Sequence, residues 1–150
     1  MPLQTLKHSP ADIIGGLLIF LEVGTGPEDN DLWPVFVAGE PARPDNCITV
    51  YDTQGQDDGR AMVDGELIDH NGFQIMIRAK DHRTGYLKAD EIRTALAKLT
   101  YNVSVYLDSS VYLVYCVTKI GQILCLGKES PTSKRSLFTI NAMVPLETLY

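Results

Sequence analysis

Near the start of the chain, apolar residues recur at the spacing of an α-helix. They form one stripe along that helix: Ile13, Ile14, Leu17, Leu18 and Leu21. Ser9 can cap the free N–H groups at the helix start, and Pro10 suits the first helical position. The Gly15-Gly16 pair weakens a helix, so we expect another backbone to pack closely against it. The pattern predicts a first helix that begins at Pro10 and ends before Gly24.

A second stretch with helical spacing lies in the middle of the chain. Its apolar residues share one face, and its charged residues mostly take the other. The apolar face consists of Ala89, Ile92, Leu96 and Leu99. The pattern predicts a second helix from about Gly85 to Leu99, with Thr84 as its cap.

Runs of β-branched or alternating apolar residues predict strands along the rest of the chain. The predicted strands are 33–37, 47–51, 73–78, 103–107, 111–119, 122–126 and 137–144. Short connections in the C-terminal part favour antiparallel pairing. The predicted fold class is therefore α+β, a mainly antiparallel sheet with two helices packed on one face. The run 111–117 is apolar on both faces, which predicts a strand central in the sheet or covered by a neighbouring subunit.

The stretch between the second and third predicted strands is acidic and dotted with glycines. Residues 52–72 contain six acids and one base, a balance of −5. Connections this long are usually functional or disordered. We predict a single domain of 150 residues with a long acidic loop at about 54–71.

Charge is divided unevenly between the two halves of the chain. Residues 1–75 hold 13 acids and 3 bases, and residues 76–150 hold 6 acids and 10 bases, which together give the net −6. Such a chain can meet its own copies head to tail, or it can simply present two solvated faces. The densest basic cluster is Lys134-Arg135, too small for tight nucleic-acid binding. No apolar run approaches the roughly 20 residues of a membrane span.

The cysteines offer the main candidate for chemistry. Cys47, Cys116 and Cys125 lie in apolar, strand-like surroundings, which predicts buried, reduced thiols in a chain made in a cytoplasm. A cysteine nucleophile needs a histidine within reach, and His70 is the candidate partner of Cys47. This pairing, or a ligand held by the acidic segment, defines one alternative, a small hydrolase or ligand-binding domain.

Other signatures of chemistry are missing from the sequence. It contains no phosphate loop, dinucleotide fingerprint or zinc pattern. The acids of the 54–71 segment are separated by glycines and lack a rigid frame for a divalent cation. We therefore predict no catalytic residue, metal or cofactor, and a protein that works through its surfaces and is not an enzyme.

Several phrases of the sequence resemble a known family. They are SPADIIGGLLIFL, LWPVFVAGEPARPDNCITVYDTQGQ, FQIMIRAKDHRTGYLKADEIRTALAKL, GQILCLGKES and SLFTINAMV. The most specific phrase is matched by Pro41, Pro44, Asp45, Ile48, Val50, Tyr51, Asp52, Thr53 and Gly55. In these phrases the chain resembles the tail-terminator proteins of long-tailed bacteriophages, also labelled tail-completion or minor capsid proteins.

The resemblance implies a structural protein of the virion. Such subunits close into a six-fold ring on the head-proximal end of the tail tube, stop its polymerisation and offer a joining surface to the head-tail connector. DNA passes through the lumen without specific binding, and assembly takes place in the host cytoplasm. A head-side connector or stopper protein of the phage neck is the alternative within this class.

The resemblance also suggests a use for the acidic segment and the basic pair. Six acidic segments could line the lumen of a ring, or each could become ordered against the tube or the connector. We therefore predict an assembly interface that contains Asp57, Asp58, Met62, Val63, Asp64, Glu66, Leu67, Ile68, Asp69, Lys134 and Arg135.

Overall fold

The computed structural model describes residues 6–27, 32–60, 67–99, 102–117 and 120–148, with only the backbone of 56–60 and 67–69. Within these ranges the elements are α1 (Pro10–Phe20), β1 (Val35–Val37), β2 (Cys47–Arg60), β3 (Leu67–Ala79), α2 (His82–Ala97), β4 (Val103–Leu107), β5 (Ser110–Val114), β6 (Leu124–Lys128), β7 (Ser136–Val144) and β8 (Leu146–Thr148).

The strands form two sheets. The larger sheet has the order β1-β2-β3-β7-β6, and the smaller one has the order β4-β5-β8. Only β1 and β2 run parallel among the named strand pairs of the described chain. The α+β class is therefore confirmed, but the strands are divided between two sheets. β5 is the central strand of the smaller sheet, as its two apolar faces predict, although it ends at Val114.

Helix α1 begins as predicted and lies between β1 and β4. Ser9 is its N-cap and accepts a hydrogen bond from the Asp12 N–H. A Cβ on Gly15 would lie 3.3 Å from Val37, and one on Gly16 would lie 3.0 Å from Val105. The glycines therefore admit close side chains from two strands, and not the second backbone that the sequence suggested.

Helix α2 begins three residues earlier than predicted. Its cap is Asp81, not Thr84, and the Thr84 N–H donates to the Asp81 carboxylate at 2.8 Å. This hydrogen bond from the Thr84 backbone lowers the pKa of Asp81. The predicted apolar face is correct in the middle of the helix, where Ala89, Ile92 and Leu96 are buried.

A single hydrophobic cluster joins both helices and both sheets. It includes Ile14 and Leu17 of α1, Ile75 of β3, Ile92 of α2 and Tyr112 of β5, all fully buried. Among the described residues, no helix is long and apolar enough to span a membrane.

The predicted long loop at 54–71 is wrong over most of its length. Strand β2 continues to Arg60 and β3 begins at Leu67, and the two are paired between Arg60 and Leu67. Residues 61–66 lie outside the described part of the chain. Antiparallel pairing uses backbone groups, so acidic side chains do not prevent it. At each shift in register β2 has one extra residue, and glycines accommodate it.

Candidate assembly surfaces

Strands β2 and β3 extend past the rest of the sheet. On one side, β1 pairs with β2 only from Ile48 to Val50. On the other side, β7 pairs with β3 only from Asn71 to Ala79. Among the described strands, residues 56–60 therefore pair with 67–70 and with no third strand, and we call this two-stranded ribbon the arm. Five residues at about 3.3 Å each make it about 17 Å long.

The base of the arm contains Gly55, and any other residue at this position would force the backbone to move. Between the pairs Thr53–Gly72 and Gln56–His70 the register shifts, because two residues of β2 oppose one of β3. A Cβ on Gly55 would lie only 2.0 Å from the His70 carbonyl oxygen. A second shift, between Asp57 and Arg60, lies within the arm. Such bulges bend and twist a strand pair, so they set the direction of the arm.

The arm also places two predicted interface acids opposite each other. Asp57 of β2 and Asp69 of β3 are register partners. Asp58, Leu67 and Ile68 belong to the arm as well. The other predicted members, Met62, Val63, Asp64 and Glu66, lie outside the described residues.

The two predicted basic residues have different surroundings. Lys134 is exposed. Arg135 instead donates to the Glu129 carboxylate at 2.5 Å and to the Ala42 carbonyl at 2.7 Å, and its guanidinium lies 3.5 Å from Asp45. The charge of Arg135 is therefore already paired within the subunit, whereas Lys134 presents its charge to solvent.

Sequence reasoning missed a buried arginine beside this cluster. The Arg78 side chain is only 2% exposed, and its Nη1 donates to Glu40 Oε1 at 2.8 Å. Its Nη2 donates to the Pro44 carbonyl at 2.5 Å, and its Nε donates to the Asp45 carbonyl at 3.3 Å. Glu129 lies 3.5 Å from the same guanidinium. The alternation along β3 places Arg78 on the face opposite Ile77, and nothing local indicates that the 40–45 segment covers it.

Residues in the most specific phrase of the resemblance stabilise the fold. The Asp52 carboxylate accepts from the Ala11 N–H at 2.9 Å, at the start of α1, where a negative charge is favourable. The carbonyls of Pro44 and Asp45 hold Arg78. Gly55 allows the bulge at the base of the arm. These residues fix α1, the 40–45 segment and the arm relative to β2.

Strand β6 forms an open edge of the larger sheet. It pairs with β7, and no other strand of the described chain pairs with it. All five of its residues are exposed, and Leu124 and Leu126 are each 53% exposed. The prediction that Cys125 is buried is therefore wrong, since an edge strand has no neighbour to cover it. Cys116, just past the end of β5, is also exposed and not buried.

Cys47 is buried as predicted, but the arrangement excludes the proposed nucleophile. Burial raises the pKa of the Cys47 thiol to about 11, so the thiol is neutral near pH 7. Cys47 pairs with Arg78, whereas His70 pairs with Gln56 near the arm. The eight residues from His70 to Arg78 correspond to about 26 Å of strand, so the two side chains cannot meet.

The described residues define an α+β protein with an extended arm and a strand edge that no other described strand covers, features of subunits that contact other chains. A family model described as "Bacteriophage tail terminator protein" matches residues 17–115, more than half of the chain. The chain belongs to this family, which is structural and non-enzymatic, and it is thus a phage tail component. Among curated proteins, none matches the chain.

Proposed function

We propose that copies of this chain form a ring, a hexamer, that caps the head-proximal end of the phage tail tube. The ring stops addition of tube subunits and provides the surface to which the head-tail connector binds. Its partners are thus itself, the tail tube protein and the connector, and assembly takes place in the host cytoplasm. Membership of the tail terminator family supports an association with the tail tube.

The arm is the observation that carries this proposal. An isolated two-stranded hairpin is at best marginally stable in water. Here such a hairpin extends about 17 Å beyond the sheet and places Asp57 opposite Asp69. A subunit gains little from this arrangement when it is alone. In the assembled tail, a surface of another chain covers the arm and neutralises its acids. The arm therefore has a function in assembly.

The negative charge of residues 52–72 supports the proposal that DNA passes through the ring. Residues 52–72 carry a balance of −5, so six arms near the central opening would place about 30 negative charges there. A negative wall repels duplex phosphate, and DNA then moves along it without binding.

Shortening the arm tests the proposal. Gln56 and His70 are register partners, so residues 57–69 can be replaced by Asn-Gly, a two-residue turn suited to a hairpin. The deletion leaves Gly55, β7 and the core unchanged. In phage that carry this variant, we expect tails of uncontrolled length and few tails joined to heads, as counted by electron microscopy.

The matched control keeps the arm and changes an exposed site elsewhere, Lys98→Ala at the end of α2. It should give tails of normal length that carry heads. The proposal is wrong if the shortened protein folds and the tails are nevertheless normal in length and head joining. If tails are normal in length but lack heads, and the chain is found only on purified heads, the head-side stopper is the correct function.

A further inference from the structure

The outer edge of β6 combines open backbone groups with apolar side chains. Natural edge strands are usually protected by charge, proline, bulges or a covering segment. In β6 the shift in register lies between Cys125 and Gly127, and the charge lies at Lys128. The stretch from Leu124 to Leu126 carries no charge and no proline, no strand of the described chain other than β7 pairs with it, and Leu124 and Leu126 are each 53% exposed. This edge is suited to the addition of a strand from another chain.

The arm offers a matching edge. On its outer side, β2 has no strand partner beyond Val50 in the described chain, so the edge of residues 53–60 is open. The arm needs a further strand, because three strands are far more stable than an isolated pair. Addition of β6 from another copy to this edge would supply the third strand.

The two open edges lie at opposite margins of one sheet. The strand order begins with β1 and β2 and ends with β6. A contact between the arm of one copy and β6 of the next therefore joins two different surfaces. Heterologous contacts of this kind propagate in one direction and close into a ring when the rotation allows it.

Charge at the two edges is complementary. Asp57 and Asp58 belong to the arm, and Lys128 ends β6. Neither Lys128 nor the nearby exposed Lys134 forms an ion pair with another described residue of the subunit. A neighbouring arm would bring acidic residues to these lysines.

We propose that the outer edge of β6 receives the arm of a second copy by strand addition, and that this contact joins neighbouring subunits of the ring. The inference rests on the proposed ring and names the surfaces that close it. The apolar side chains of Leu124 and Leu126 then become covered, and the backbone groups of both edges become paired.

The exposed Cys125 allows a direct test by disulfide formation. In a Cys116→Ser background, Cys47 is buried and Cys125 is the remaining exposed thiol. A second cysteine is introduced along the arm in three variants, Gln54→Cys, Gln56→Cys and Asp58→Cys. Purified tails that carry each variant are oxidised by air with a copper catalyst and separated without reductant. A disulfide forms only where the Cα atoms approach within about 7 Å.

We expect at least one arm variant to give covalent dimers and higher multimers in more than half of the chains. Adding Cys125→Ser should abolish them. The matched control, Lys98→Cys on the exposed end of α2, should give fewer than a tenth as many.

Three results overturn the proposal. If microscopy of these tails shows the ring but no arm variant is linked through Cys125, the ring remains and the strand contact is wrong. If Cys125 is linked to the tube protein, β6 faces the tube and not a second copy. If the tails carry no ring, the proposed function itself fails, and the contact fails with it.

Discussion

Arg78 of β3 forms an ion pair of 2.8 Å with Glu40, which lies 38 positions earlier in the chain. The 40–45 segment packs around this ion pair. The arginine is nearly completely buried, and the carboxylate is 19% exposed. The same guanidinium holds the carbonyls of Pro44 and Asp45. One side chain thus attaches the connection between β1 and β2 to the middle of the sheet.

Removal of this arginine should strongly destabilise the fold. Arg78→Met leaves Glu40 and two carbonyls without their donor, and breaking a buried pair in this way costs about 3–5 kcal/mol. Denaturant titration should show this loss in the free energy of unfolding. Arg83→Met on the exposed face of α2 is the control and should change it by less than about 0.5 kcal/mol. A loss below about 1 kcal/mol for Arg78→Met would contradict the role assigned to the network.

A methyl group at the base of the arm should loosen the arm. Gly55→Ala would place its Cβ 2.0 Å from the His70 carbonyl, so backbone must move, at a cost of about 1–3 kcal/mol. Amide hydrogen exchange in residues 53–60 should then become roughly 5- to 150-fold faster. In Gly39→Ala the new Cβ meets nothing within 4 Å, and exchange in the arm should be unchanged. Equal exchange rates in the two variants would refute the close approach at Gly55.

The three thiols should react at two distinct rates. Cys116 and Cys125 are exposed, whereas Cys47 is buried and its pKa is raised to about 11. At pH 8 a thiol reagent should label two cysteines per folded chain and the third only after denaturation. Labelling of Cys47 as fast as Cys125 in the native protein would show that the thiol is accessible.

The burial of the Cys47 thiol predicts a loss of stability in alkaline solution. As pH rises from the ordinary pKa of 9.0 towards 11, the unfolded Cys47 thiol ionises while the folded one keeps its proton. The free energy of unfolding therefore falls across this window, by at most about 3 kcal/mol from this group. Cys47→Ala should show a shallower fall between pH 9 and 11. Parallel curves for the two proteins would remove Cys47 as a cause.

Charge reversal should have different effects on stability at the two basic residues predicted at the interface. Lys134→Glu changes an exposed charge, so it should leave stability within about 0.5 kcal/mol and weaken association on tails at low salt. Arg135→Glu also breaks the contacts with Glu129 and Ala42, so it should lower stability as well. The measurements are denaturant titration and the number of copies per tail at two salt concentrations. Unchanged association for Lys134→Glu would make this lysine a solvated surface charge only.

Local patterns in the sequence determined the elements whose physical causes are local. The cap at Ser9, the stripe of α1 and the buried face of α2 depend on residues within a few positions of each other. The apolar run of β5 predicted a strand that is central in its sheet or covered by a neighbouring subunit, since both of its faces must be covered, and β5 is central in the smaller sheet. The alternation in β3 likewise placed Phe73, Ile75 and Ile77 in the core.

Only the tertiary structure decided the features that depend on distant partners. The acidic, glycine-dotted stretch has weak strand propensity, yet β2 and β3 pair through it because each supplies the backbone partners of the other. Arg78 is buried because the 40–45 segment covers it, and Cys125 is exposed because β6 lies at an edge. Burial at such positions is a property of the neighbours that the fold supplies, and the spacing of residues along the chain does not contain it.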